Sequence, residues 1–172
     1  MDAATRAAVG REWRRIERWL RARAPKTYAA LSTPGRSKTI AVAEAQMGLD
    51  FPDDLRASLL RHNGDGGSVV LGGQGLSVRG IRDTWRALCA TGPHPEWNGR
   101  MIPFQRRGAG WGVADSAQGT VSWDDGIAGF ATQAPGHLAL LRRVAAALET
   151  GGAGDEWKPS VKRGTLHWQL DY

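Results

Sequence analysis

A chain of 172 residues with 41% hydrophobic content and eight Trp can bury about 70% of the surface its unfolded form exposes, which suits one domain and argues against disorder. No apolar run approaches the roughly 20 residues of a bilayer span, and a lone Cys89 leaves no internal disulfide. The net charge of +6 is unevenly placed, since residues 1 to 38 hold ten Lys or Arg against three Asp or Glu while the remainder holds thirteen against fourteen.

The opening MDAATRAAVGREWRR lacks the apolar core of a secretory signal, so an intracellular, cytoplasmic protein is expected. Val9, Trp13, Ile16 and Leu20 recur at i, i+4, i+7 and i+11. That spacing predicts a helix over residues 4 to 23 with an apolar stripe turned inward. Arg11, Arg14, Arg15 and Arg18 lie mostly opposite, which makes residues 1 to 24 a basic amphipathic segment. A solvated face is the default for such a row, and attraction to nucleic acid, acidic lipid or an acidic protein is the sharper alternative.

Residues 25 to 35 are expected to form a loop around a short apolar patch at Tyr28 to Leu31. Ser37 stands as an N-cap before Ile40, Ala43 and Met47, and Gly48 ends that helix. Pro52 suits the first position of a second helix, with Asp53 and Asp54 in its first turn. Leu55, Leu59 and His62 share one face, and Asn63-Gly64 stops it.

Six glycines surround Val69, Val70 and Leu71 in residues 64 to 75, a pattern that predicts a short strand between turns. The Gly-Lys-Ser/Thr of a phosphate-binding loop is missing. Ile81, Trp85 and Leu88 predict a helix over Gly80 to Thr91, with Cys89 packed near them. Gly92, Pro93 and Pro95 break it. Met101 to Phe104 reads as a strand with Pro103 at an edge or bulge. Trp111 to Asp115 and Thr120 to Trp123 flank a four-residue hairpin loop, and Ile127 to Thr132 adds a third strand.

Leu138, Leu141, Ala145 and Leu148 mark a helix over residues 136 to 150, after which GGAGDE reads as flexible. Thr165 to Leu170 alternates as a last strand, with Leu166, Trp168 and Leu170 on one face. The order predicts an α+β fold in a single domain over residues 1–172, an antiparallel sheet of four to six strands covered by helices. Trp13, Ile16, Leu55, Leu59, Trp85 and Leu141 are its expected core.

Two stretches carry a family resemblance. Ala43, Glu44, Gly48, Pro52, Asp54, Leu55, Leu59, Asn63 and Gly64 form an AE…G…P-D-L…L…HNG pattern that resembles the SUKH superfamily. That superfamily includes the yeast cell-wall synthesis regulator of the SMI/KNR type and many bacterial proteins that neutralise toxins. Trp13, Ile16, Glu17, Trp19 and Leu20 resemble its W-x-x-I-E-x-W-L opening, and Ile102, Pro103 and Phe104 its I-P-F strand. Asp115 and Gly119 match its acidic hairpin position, and Leu138 to Glu149 its carboxy-terminal helix. Phe51 departs from the usual Leu before the Pro. Coverage runs from about Trp13 to Trp168. The resemblance implies this fold and a non-catalytic protein-binding module.

Catalysis has no assembled set of residues in the sequence. His62, His94, His137 and His167 are isolated, no zinc-ligand spacing or cofactor motif occurs, and no serine has a GxSxG surround. Recognition remains. Trp97, Trp111 and Trp123 fall in loops and strands, where core is the default role and a binding hot spot the alternative. Asp115, Asp124 and Asp125 stand close to two of them, an acidic cluster suited to the basic substrate channel of a nuclease or deaminase toxin. The resemblance to SUKH immunity proteins makes an immunity protein whose partner is a toxin domain the leading expectation. The runner-up is a regulatory adaptor or nucleic-acid-associated protein acting through the basic amino-terminal helix.

Overall fold

The computed structural model describes residues 1–92, 95–124 and 129–171. Helix α1 (Ala3–Arg23) starts where the Asp2 carboxylate accepts from the Thr5 N–H, and it buries Val9, Trp13, Ile16 and Leu20 as the spacing predicts. It lies against α4 (Asp53–Arg61) and α6 (His137–Thr150). The Trp13 indole donates to Ser58 Oγ at 2.9 Å and meets the His62 ring edge-on at 4.6 Å, so the α1–α4 seam is both apolar and hydrogen-bonded.

The expected loop after α1 is instead a short helix, α2 (Pro25–Ala30). Pro25 fixes a helical φ at the first position, and Thr27 is buried because its hydroxyl accepts the Leu166 N–H. Helix α3 (Ser37–Met47) ends at Gly48, which takes the left-handed conformation at φ 67. Its cap is Arg36 rather than Ser37. Gly35 donates to Leu59 O, and this contact holds the extended entry so that Ser37 is already helical. Likewise Pro52 caps α4 instead of opening it, because the Phe51 N–H is held by Glu44 and Pro52 stays extended at ψ 141.

The family-like motif therefore resolves into hydrogen bonds. Glu44 receives Phe51 N and Arg56, while Asn63 Oδ1 receives Val78 N at the start of α5 (Val78–Thr91). The Asp54 carboxylate receives Leu138 N at 2.9 Å, so a residue of α4 supplies the acceptor that Gly136, at the head of α6, lacks.

No strand forms at Val69 to Leu71. Those three side chains are buried, but Val70 makes one isolated bridge to Gly73 and Leu71 has φ 46. The segment is ordered around Asp65, whose carboxylate accepts from the N–H groups of Gly67, Val69, Val70 and Gly75. Gly66, at φ 65, lies so near α2 that a Cβ there would stand 1.7 Å from Ala30 O. Only glycine fits such an approach.

The main sheet is antiparallel in the order β1 (Gln74–Gly75), β2 (Met101–Arg107), β3 (Gly110–Asp115), β4 (Val121–Asp124) and β5 (Phe130–Ala134). A register shift between Pro103 and Gln105 is the expected bulge. Strand β5 starts later than predicted, and Ile127 lies outside the described residues. Strand β6 (Trp157–Lys162), unmarked by alternation, pairs with β7 (Thr165–Leu170) in a separate two-stranded sheet. The link before it, expected to be flexible, is tied to α6 by Arg143, which pairs with Asp155 at 2.6 Å and Glu156 at 3.0 Å.

The architecture is α+β, and one core cluster draws on all helices except α2 and on both sheets. Trp13, Ile16, Leu55, Leu59 and Leu141 are buried as expected. Trp85 is only half-buried, its indole donating to Gly99 O at 3.0 Å. Cys89 is exposed rather than packed. The buried face of α5 is set by Val78, Ile81 and Leu88, and a residue next to Leu88 is rotated about 100° away from it.

Candidate partner-binding face

Strand register decides which of the singled-out residues share a surface. Trp111 stands opposite Asp124 and Arg106, whereas Trp123 stands opposite Gly112 and Ala131. Neighbouring positions on one strand point to opposite faces, so Trp111 and Trp123 are on different sides of the sheet. Trp123 faces inward, where the Arg107 guanidinium lies 3.9 Å from its ring and 4.5 Å from that of Trp157. It joins the two sheets.

The outer side carries Trp111 beneath Arg106, at 5.4 Å, and Phe130 beside Trp97, with ring centroids 6.5 Å apart. Trp97, Trp111 and Trp123 are all half-buried, and among the described residues none belongs to the core cluster or to the side chains packed on it. The Trp97 Nε1 is buried without an acceptor among the described residues.

The aspartates are separated. Asp115 sits at the hairpin turn, where Oδ1 accepts from Ala117 N and Gln118 N at 2.8 Å and Arg100 stands 3.8 Å away. Asp124 is at the far end of the same strand pair and only 3% exposed. Asp115 lies four residue steps along the strand from Trp111, which is opposite Asp124, or about 13 Å along the sheet. Asp125 and His94 lie outside the described residues. The acidic cluster expected from the sequence is therefore not gathered by Asp115 and Asp124: one shapes a turn and the other is enclosed.

On α1, Arg11, Arg14 and Arg18 are exposed, but Arg15 is not free. It binds Glu12 at 2.6 Å and reaches Glu149 on α6. One of the four expected basic residues thus secures helix packing. Glu17, on the half-buried side, accepts from Arg61 and His62; burial pushes its carboxyl up, and these hydrogen bonds more than offset that and hold it below the usual value.

Two buried titratable groups carry no assigned role in the sequence reading: Asp65, which it does not single out, and His137, which it treats as an isolated histidine. Asp65 and His137 line a cavity of about 30 Å³ between α4, β2 and the glycine-rich segment, a volume that suits one water. Burial pushes the Asp65 carboxyl up to about 6 against its four N–H donors. Burial pulls His137 down to about 4, against the attraction of Asp54, and Phe104 meets its ring edge-on at 5.1 Å. The signs oppose each other. The Asp65 contribution to stability is present below its ordinary value and lost as pH rises through about 6, whereas the His137 contribution is lost as pH falls from its ordinary value through about 4.

Replacing His137 with Phe isolates the His137 contribution, because Asp65 is common to both proteins. The melting temperature of His137→Phe relative to the unsubstituted protein is expected to fall steadily as pH rises from 4 to 6.5, the span of the His137 shift. A difference that is flat with pH, or grows in the variant's favour, contradicts this assignment.

Among the described residues, no group of three His, Cys, Asp or Glu is placed to hold a metal ion, and no helix is long and apolar enough to cross a membrane. What the outer side offers is contact area: large aromatic rings with modest loss of side-chain freedom on binding, which is the chemistry of recognition.

Comparison with known proteins adds the family. The sequence model of the SMI1 / KNR4 family (SUKH-1) matches residues 34–141, from the entry of α3 into α6. F-box only protein 3 of Mus musculus is 36% identical over 58 residues, 34% of this chain and 12% of that protein. The KNR4/SMI1 homolog of Eremothecium gossypii is 33% identical over 89 residues, 45% of this chain and 14% of that protein. Human F-box only protein 3 is 34% identical over 58 residues, again 34% of this chain and 12% of the relative. The chain thus spans only 12% to 14% of the length of these relatives.

Proposed function

This chain belongs to the SMI1 / KNR4 family (SUKH-1), and on that premise we propose that it is a bacterial, cytoplasmic immunity protein: a non-catalytic protein that seats on a toxin domain of the nuclease or deaminase class and blocks its active site. The observation that carries the reading is the outer side of the main sheet, where half-buried Trp97 and Trp111 stand outside the hydrophobic core. Rings that do not build the core are available to build an interface. Asp115, at the hairpin turn and on the Trp111 side of the sheet, supplies the acidic edge of the proposed contact, while Asp124, opposite Trp111, is enclosed. The proposed working unit is the whole of residues 1–172, because α1 completes the core although the family match begins after it.

A toxin-like domain encoded beside this gene provides the test. Co-expression is expected to rescue growth, and the purified proteins to form a tight one-to-one complex with the toxin's active site closed. Absence of both binding and rescue would sink the reading. An adaptor role is then favoured by another observation: this module recurs as a small part of much longer relatives, which suits a binding unit set within a larger assembly.

A further inference from the structure

The positive charge that the sequence assigns to the amino-terminal segment is partly relocated by folding. Arg36 and Lys38, at the head of α3, come together with Arg79 and Arg82 of α5 around a groove of about 270 Å³. Along α3, Lys38, Val42 and Gln46 form one ridge at four-residue spacing. Along α5, Arg79, Arg82 and Arg86 form the facing ridge at i, i+3 and i+7. Gln46 accepts from both Arg82 and Arg86, at 3.1 and 3.3 Å, so the two ridges lie side by side.

Little acid answers this charge. Glu44 and Asp83 are the acidic residues of the two helices; Glu44 is turned toward Arg56 and Phe51 N, and Asp83 already pairs with Arg82 at 2.8 Å. Arg36, Lys38 and Arg79 are exposed, and their side chains have no hydrogen-bond or ion-pair partner among the described residues. No side chain caps the first turn of α3, so its peptide N–H groups add to the positive field at the mouth. The groove also has an apolar wall, in which Val42 is 44% exposed.

We propose that this groove docks an acidic segment of a partner protein, with carboxylates meeting Arg36, Lys38 and Arg79 and an apolar side chain resting on Val42. A nucleic acid backbone would use the charge but gains nothing from the valine, and the groove presents no aromatic ring for a base to stack on. Carboxylate with guanidinium is the matching chemistry, and its two parallel hydrogen bonds favour arginine. The surface is distinct from the sheet face proposed for the toxin and stands independently of that function.

Fluorescence anisotropy of the full chain with a short labelled peptide of alternating Glu and Leu tests the proposal. Arg79→Glu, and separately Arg36→Glu with Lys38→Glu, should each weaken binding by about tenfold or more, the worth of one lost charge-assisted contact. Val42→Ser should weaken it by about threefold, and a Glu–Ser peptide should bind less well than Glu–Leu. Reversing Arg11, Arg14 and Arg18 together should leave it within about twofold, because that face is not part of the groove. All of these positions are exposed, and unchanged melting temperatures confirm that the variants fold. No binding of the peptide, or equal loss on reversing the α1 arginines, overturns the proposal. So does tighter binding of a DNA duplex that depends on Arg79 but not on Val42.

Discussion

Asp65→Ala is expected to lower the stability of the fold by about 4 kcal/mol, the largest effect of any single polar substitution considered for this molecule. Four backbone N–H groups converge on that carboxylate, from Gly67, Val69, Val70 and Gly75, at 2.9 to 3.4 Å. Alanine leaves them without an acceptor inside the protein, where each unpaired donor costs about 1–3 kcal/mol before relaxation. The small cavity that Asp65 lines has room for about one water, too few to replace four acceptor contacts, and Asp65 is 3% exposed with Val69 to Leu71 packed in the core around it.

Asparagine is informative as a second substitution. Oδ1 serves Gly67 and Gly75 while Oδ2 serves Val69 and Val70, so an amide keeps one pair of bonds and turns its own N–H₂ toward the other. Asp65→Asn should therefore fall between the parent and Asp65→Ala. Urea unfolding at pH 7 with an unchanged denaturant slope measures all three. A loss below about 1 kcal/mol for Asp65→Ala, the scale expected of the half-buried turn residue Asp115, refutes the role assigned to this carboxylate.

Asp65 also marks the limit of what pattern reading finds. The α1 stripe was legible because four buried residues repeat at a helical period, and the Gly48 cap because only a residue tolerant of positive φ ends a helix in that way. An acid that gathers peptide groups from the ten residues after it has no periodic signature. Val69 to Leu71 looked like a strand because burial in a loop and burial in a sheet leave the same apolar letters. Strand β6 was hidden by Pro159 and by a burial pattern that does not alternate. Arg36 and Lys38 were counted with α1 because they are near it in sequence, although folding sets them against α5.

The separation of Trp111 from Trp123 was more accessible. A hairpin closed by Asp115 and Thr120 pairs Trp111 with Asp124 on simple counting, which leaves Trp123 opposite Gly112 and on the other face. Proximity along the chain had suggested a cluster, and the two-residue period of a strand divides it. The same count encloses Asp124 beside Trp111 and sends Asp115 to the turn, so the acidic part of the expected site was the part least able to survive folding.

That division yields an expected result for the proposed toxin complex. Trp111→Ala, and independently Trp97→Ala, should weaken the complex by about a hundredfold or more, or about 3 kcal/mol, while changing the melting temperature little. Both rings are half-buried and outside the core, so truncation removes contact area that is realised only when a partner covers it. Trp123→Ala should behave in the opposite sense. Its ring and that of Trp157 enclose Arg107, so its loss should lower stability by about 1–3 kcal/mol and leave affinity for the toxin nearly unchanged at temperatures where the variant is folded. Isothermal titration with the toxin domain, alongside thermal unfolding of each variant alone, separates the two effects. If Trp123→Ala abolishes binding while Trp97→Ala and Trp111→Ala do not, the toxin is held by the inner edge near Trp157 instead. If none of the three changes affinity, the aromatic face has no part in recognition, because a contact centred on it cannot lose its largest buried rings without cost.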